Sequence, residues 1–408
     1  MSQEKKAPML VSEVERELFR HVENTIGDKA PASMPNPLAR TSKIFNFYPG
    51  QYTLIGSITG VGKTSFIDHN MLYILESIPL DSDFHIEFLY LSMERKKKIK
   101  FAKWISWKMF HTSRSRISAK QILNKDRKLT DAQLTHLRAA YTPWLNKILK
   151  RVDLREGQIS PARLEQIIDK KAKLLGVHYH SDDDTIYKFE VEAGKFDPNN
   201  YIETDYGRKL YVIIKIGDKN YTLYQNDSIY VTKTPTALFI IMDHVGKFKM
   251  IKGGKKATLD LVDDILCYAR DSYSFSPIPI SQFNRDISKT DRLKYNQGDL
   301  DPVLEDFKDT GNMTESADVV LSLFDPAKYK SWDGIGNYKG YNIRDATITP
   351  DKGQQRARSL HVIKNSEDSD NLCVVLRFTG ESGYFEEMPI PEDTEGLQKV
   401  YNEIMQGK

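Results

Sequence analysis

The sequence predicts an α/β domain with a mostly parallel central sheet, and three observations carry that prediction. The stretch at 52–66, YTLIGSITGVGKTSF, runs from an apolar strand through a glycine-spaced loop into an apolar helical start. The stretch ALFIIM at 237–242 is a near-continuous apolar run, which is how a strand buried on both faces reads. Strand-like runs and helical patterns alternate around these two stretches, the order that produces parallel sheets.

The first stretch carries the chemistry. Gly60 and Gly62 let backbone N–H groups turn inward, so the loop formed by Ser57, Thr59, Gly60, Val61, Gly62, Lys63, Thr64 and Ser65 can cradle the phosphates of ATP. Lys63 can reach the β and γ oxygens, and the Thr64 hydroxyl can ligate Mg2+. In the usual pattern a glycine stands five residues before Gly62; here that position is Ser57, with Gly56 just ahead of it. A chance GKT means little, but GVGKTS between a strand and a helix is the context the motif requires. The bland alternative is an ordinary Gly-rich turn.

Composition narrows the classes. At 408 residues the chain can bury a sizeable core. Charged residues make up 28%, yet the net charge is only +3, so any polyanion site must be a local patch. The two cysteines, Cys267 and Cys373, lie in apolar segments and read as buried free thiols of a reducing compartment. No stretch has the apolar length of a membrane span, and the first ten residues lack the core of a signal peptide, so a soluble, cytoplasmic protein is expected.

In chain order, residues 1–10 are expected to be disordered and 12–26 to form a helix. Ser12 with Glu15 makes a capping box, and Val14, Leu18, Phe19, Val22 and Ile26 share one face. Pro31, Pro35 and Pro37 follow as a stiff linker, so the helix must dock on its own core or on a neighbouring subunit. Strand, phosphate loop and helix occupy 44–80. The strand at 86–91 leads into Glu94, where a general base can be held against an attacking water. The basic turn at 95–98 opens a helix and is either solvated or faces an acidic partner. Residues 115–176 read as helical, with a restart at Ser160 and Pro161. Residues 177–235, rich in Tyr, Val, Ile and Thr and broken by DPNN and GDKN turns, read as a β-rich insertion that can serve a protein partner.

The run ALFIIM ends in Asp243, which can hold the water shell of Mg2+ opposite Thr64 or merely cap the next turn. Lys247, Lys249, Lys252, Lys255 and Lys256 then surround two glycines in a basic loop that can track a phosphate backbone or stay solvated. After a helix at 258–273, the strand at 278–280 leads into Gln282, placed to sense a γ-phosphate, and Arg285. Residues 286–302, with Lys289 and Arg292, read as a second mobile loop. VVLSLF, a variable loop at 326–353 and two closing strands, SLHVIKN and LCVVLRFTG, complete the pattern.

The order GVGKTS, LYLSMER, LFIIMDH, SQFNR, DFKDTGNMTESADVV, HVIKN resembles the RecA-like ATPase domain of DnaB-type replicative helicases, over about residues 44–388 apart from the insertion. SQFNR and DFKDTGNMTESAD set it apart from generic phosphate-loop proteins. The resemblance implies a RecA-like core that uses ATP and Mg2+, with Glu94 as catalytic carboxylate. It further implies that Gln282 and Arg285 relay the nucleotide state to basic loops on single-stranded DNA. A homo-oligomeric ring, as a hexamer, would place Lys364 on the neighbour's nucleotide, and the helix at 12–26 matches the linker helix that packs on the adjacent subunit. The implied division is a tail, linker helix and Pro-rich linker at 1–43 and an ATPase domain at 44–408 that carries the insertion at 177–235.

Three departures accompany the resemblance. The family's amino-terminal, primase-docking domain has no counterpart ahead of residue 44, and the insertion is unusual; both would suit a bacteriophage or other mobile element. Where the family places an arginine finger two residues after Lys364, this chain has Ser366, with Arg356 and Arg358 as substitutes one strand earlier. Two other readings stay open: a filament-forming strand-exchange recombinase on the same core, and an ATP-binding scaffold or loader with weak hydrolysis.

Overall fold

We describe residues 33–123, 125, 129–204, 207–283, 301–328, 337–347, 357–366 and 372–406 of a computed structural model. The helix expected at 12–26, Arg285, Lys289, Arg292 and Arg356 lie outside the described residues.

Strand β1 (Thr53–Ser57) enters the phosphate loop and helix α1 (Lys63–Ser77). Strand β2 (His85–Ser92) follows, then α2 (Lys97–Ser113), the short α3 (Ala119–Ile122), α4 (Asp131–Leu149), β3 (Val152–Glu156) and α5 (Pro161–Leu175). The insertion supplies β4 (Gly176–Ser181), β5 (Thr185–Lys188), β6 (Val191–Lys195), β7 (Tyr201–Thr204), β8 (Gly207–Ile216), β9 (Lys219–Tyr224) and β10 (Ser228–Thr232). The core resumes with β11 (Thr236–Asp243), α6 (Gly254–Tyr273), β12 (Ser276–Gln282), α7 (Gly311–Ser316) and β13 (Val319–Phe324). A small hairpin, β14 (Asn337–Tyr338) and β15 (Tyr341–Asn342), precedes α8 (Ile343–Thr347), and β16 (Ala357–Asn365), β17 (Leu372–Thr379), β18 (Tyr384–Glu387) and α9 (Thr394–Met405) close the chain.

The main sheet has the order β18-β17-β16-β13-β1-β12-β11-β2-β3. From β13 to β3 every pairing is parallel, and β16, β17 and β18 add antiparallel strands on the other edge. The continuous apolar runs have their reason here, because both faces are covered. Leu54, Leu89 and Leu238 point to one face and pack with Leu164 and Ile168 of α5 and with Leu259, Val262 and Leu266 of α6. Their sequence neighbours Ile55, Phe88 and Phe239 point to the other face and meet Phe66 and Leu72 of α1, Trp104 and Trp107 of α2 and Ile148 of α4. Alternation with period two thus buries consecutive residues in opposite layers.

Two expectations change. The region 115–176 is not helical throughout, because Val152–Glu156 pairs in parallel with β2 as an edge strand. Its signal is only the buried pair Val152 and Leu154, too short to show between two helices. The closing segment also has a third strand, β18, and a terminal helix whose Leu397, Tyr401 and Ile404 are buried.

The insertion leaves the core undisturbed because it enters and leaves at one point. Gly176 at the start of β4 pairs with Thr232 at the end of β10, directly between α5 and β11. A glycine is needed there, since a Cβ would stand 2.6 Å from both the Tyr230 ring and the Val231 carbonyl. The insertion's strands form sheets of order β10-β4-β5-β6 and β7-β8-β9 around Ile186, Phe196 and Leu223. Among the described residues no helix is long and apolar enough to cross a membrane.

Candidate nucleotide-binding site

The parallel register brings the carboxyl ends of four strands together. Ser57 pairs with Gln282, Asp243 with Ile280, and Ser92 with Asp243. In sheets of this kind the crevice beyond those ends is where ligands bind. The phosphate loop spans the end of β1, with Gly60 at φ 82° and Gly62 at φ 117°, conformations that favour glycine. Gly62 caps α1 without a side chain, so no cap residue occupies the helix's first-turn N–H groups.

The Lys63 ammonium donates to the Ser57 carbonyl at 2.7 Å, to the Ile58 carbonyl at 3.2 Å and to the Ser57 hydroxyl at 3.2 Å. Ser57, standing where the motif usually has glycine, is therefore a partner of the loop's own lysine. Gly56 serves packing instead: a Cβ there would stand 2.2 Å from Phe307 and 2.6 Å from Phe283. Thr59 and Gly60 are exposed at the tip, and Gln282 donates to the Thr59 hydroxyl at 3.0 Å.

Asp243 ends β11 with its carboxylate shared. One oxygen accepts from the Thr64 hydroxyl at 2.8 Å, and the other lies 3.3 Å from the Lys100 ammonium. Lys100 is fully buried and also reaches the Asp68 carboxylate at 3.1 and 3.2 Å and the Tyr90 hydroxyl. Burial pushes the Asp243 carboxyl up, but Lys100 and the Thr64 hydrogen bond win and hold it below the ordinary carboxylate value. Hard oxygen donors from a hydroxyl and an ionised carboxylate suit Mg2+. Among the described residues no group of three or more His, Cys, Asp or Glu side chains is assembled to hold a metal unaided. That fits an ion whose remaining ligands are phosphate and water.

Glu94 is exposed just beyond β2. Its charge is felt by His244, whose imidazole is pushed below its ordinary value by burial and by Lys63, with Glu94 and Asp243 opposing. His244 accepts from the Gly246 N–H through Nδ1. The lysines expected in one flexible loop are split. Lys247 ends a short turn, Lys249 and Lys252 are exposed, and Lys255 and Lys256 lie exposed in the first turn of α6. Cations around the amino end of a helix add to its favourable field for an anion. The stretch at 306–318 anchors β1, with Phe307 against Gly56 and the Asp318 carboxylate accepting from the Tyr52 N–H at 2.8 Å.

No protein-family model and no curated protein matches the chain. Among solved structures it is similar to the ATPase domain of one DnaB-like replicative helicase, with a TM-score of 0.57 and 13% identity, covering 93% of this chain and 99% of that one. It is also similar to a second DnaB-like replicative helicase, described with its interactions with primase, with a TM-score of 0.55 and 13% identity, covering 92% of this chain and 67% of that one. The fold is RecA-like, shared with DnaB-like ATPase domains.

Within this RecA-like frame, the residues proposed for the intersubunit half of the site fall into two places. Lys364 pairs with Val320, at the opposite end of the sheet from the phosphate loop, and donates to the Thr314 and Glu315 carbonyls at 3.2 and 2.7 Å. The Ser366 N–H donates to the Asp318 carbonyl at 2.9 Å. Arg358, a substitute finger in the sequence reading, is 4% exposed and turned into its own chain, so it does not reach a neighbour. Sequence reasoning missed Lys100 and Asp68. The available signal was the spacing of Lys100, Trp104 and Trp107, which sets a lysine on the apolar face of α2.

Proposed function

We propose that the chain is an ATP-dependent DNA helicase of the DnaB-like type, an ATP hydrolase that works as a hexameric ring on single-stranded DNA in replication. The observation that carries the proposal is the hydrogen bond from Thr64 to Asp243, which joins the phosphate loop to the acid at the end of the neighbouring motif strand. The RecA-like fold supports it. In this reading the loop from Ser57 to Ser65 binds the phosphates, with Lys63 on the β and γ oxygens. Thr64 and Asp243 hold Mg2+, which supplies charge neutralisation at the phosphates. Glu94 takes the proton of the attacking water. Gln282, through Thr59 at the loop tip, reports the nucleotide state together with Arg285. Lys247, Lys249, Lys252, Lys255, Lys256, Lys289 and Arg292 contact the DNA backbone, and Lys364 acts on the next subunit's nucleotide. The ATPase domain comprises 44–408, with 177–235 as an insertion open to a protein partner.

Lys63→Ala tests the core of this reading. ATP hydrolysis should fall by about 100-fold or more, and survival of the activity overturns the assignment. Hydrolysis with and without single-stranded DNA, strand displacement on a fork and mass in solution test the rest. One observation favours a second reading, an ATP-binding scaffold or loader. Ser366 stands at the finger position while Arg358 is buried in its own chain. ATP binding without DNA-stimulated hydrolysis would select it.

A further inference from the structure

We propose that Arg358 is a positioning residue of the phosphate loop, fixing the Val61 peptide from β16 and so setting the loop's grip on nucleotide from within the same chain. The inference rests on the nucleotide-binding reading above and deepens it.

Arg358 Nε donates to the Val61 carbonyl at 2.7 Å, and Nη1 donates to the Ala357 carbonyl at 2.6 Å. Nη1 also lies 3.2 Å from the carboxylate of Asp325, which is fully buried. A buried guanidinium needs a counter-charge, and Asp325 supplies one. That pairing alone does not require a proton aimed at the phosphate loop, so the bond to Val61 is the feature to be explained. Val61 sits between two glycines with positive φ, Gly60 and Gly62, where the backbone is least restrained by its own side chains. The peptide is planar and trans, so the Val61 carbonyl and the Gly62 N–H point in opposite directions. Holding the carbonyl on Arg358 therefore sets the direction of an N–H that the loop offers to phosphate.

A second contact reinforces the first. The guanidinium lies over the Phe378 ring, 5.2 Å from its centroid, and Phe378 stacks on Phe385 with centroids 4.4 Å apart. A Cβ on Gly62 would stand 3.1 Å from Phe378. The same ring thus packs under the arginine and against the glycine that caps α1, so the loop is pressed from β17 and held from β16.

The test uses the full chain and three variants: Arg358→Lys, the double variant Arg358→Met with Asp325→Leu, and Lys63→Ala. Titration with Mg2+ and mant-ADP reads affinity, and thermal unfolding reads the fold. The lysine variant keeps the charge but not the forked donor set, and the double variant removes the buried pair as a unit. Both should hold the unfolding midpoint within about 3 °C yet bind mant-ADP about tenfold more weakly, as expected for one lost charge-assisted hydrogen bond. A variant that keeps that midpoint and binds within about twofold of the unmodified protein overturns the inference. Collapse of both folds overturns it too, by making the pair a core element only. If the unmodified protein and Lys63→Ala bind the probe equally, the nucleotide reading itself fails and this inference with it. Loss of binding in Lys63→Ala with tight binding in both Arg358 variants removes the inference alone.

Discussion

Replacing Lys100 by methionine keeps the length of the side chain and removes its charge. The Lys100 side chain is 0% exposed, and those of Asp68 and Asp243 are 7% and 2% exposed, so the variant leaves two buried carboxylates without their shared cation. At 3.1 to 3.3 Å each attraction is worth about 5 kcal/mol at an effective dielectric of about 20. Much of this is offset by the cost of burying the charges, and breaking such a pair from one side costs about 3–5 kcal/mol. For a chain of this size that corresponds to a fall of about 3–6 °C in unfolding midpoint, followed by circular dichroism at neutral pH. Removing the acid as well, in Lys100→Met with Asp68→Leu, should restore more than half of the loss, because only Asp243 then remains and it keeps Thr64. A single variant that melts within about 1 °C of the unmodified protein would show that Lys100 does not compensate these acids.

Stability should fall as pH drops from 6.5 to 3. His69 is fully buried, accepts from Trp107 Nε1 at 2.8 Å, and is pushed to about 3 by burial and then by His111, and burial brings His178 to about 4. A base whose folded value lies below its unfolded one is protonated first in the unfolded chain. The stability is thus complete above 6.5 and declines below it, by about 2 kcal/mol at pH 5 for His69 alone. Denaturant unfolding that is flat between pH 7 and 5 would contradict this. Gly56→Ala should cost about 1–3 kcal/mol in the same assay, because its new methyl meets Phe307 and Phe283. Ser57→Gly, which restores the common motif, should change ATP affinity by less than about threefold, since it removes one hydroxyl partner of Lys63. A larger loss would give the hydroxyl a role beyond that contact.

The fold was largely legible because its two signals are local. A phosphate loop announces itself within ten residues, and strands buried on both faces read as apolar runs such as ALFIIM. What the sequence hid was long-range. β3 adds only five residues at the sheet's edge, between helices, with no period long enough to recognise. The loop of lysines proved to include a helix start, because Gly253 and Gly254, which read as flexible, cap α6. The role of Gly56 could not be seen either, since the rings that need its missing Cβ come from residues 283 and 307. For the same reason Arg358 suggested an exposed finger: nothing near it in the sequence shows that Asp325 and Val61 await it inside.

The partners of three buried cations at this edge separate their roles. Lys63 donates to two backbone carbonyls and a hydroxyl of its own loop, whereas Lys100 is matched to Asp68 and Asp243 and Arg358 to Asp325. Bonds to carbonyls and a hydroxyl can be exchanged for bonds to an anionic phosphate with an electrostatic gain. A cation drawn away from a buried carboxylate leaves that acid uncompensated, which is costly in a low-dielectric interior. Lys63, on the loop itself, is therefore the cation placed to meet a nucleotide. Lys100 and Arg358 remain in place around it, the first fixing the acid beside Thr64 and the second fixing the loop that Lys63 closes.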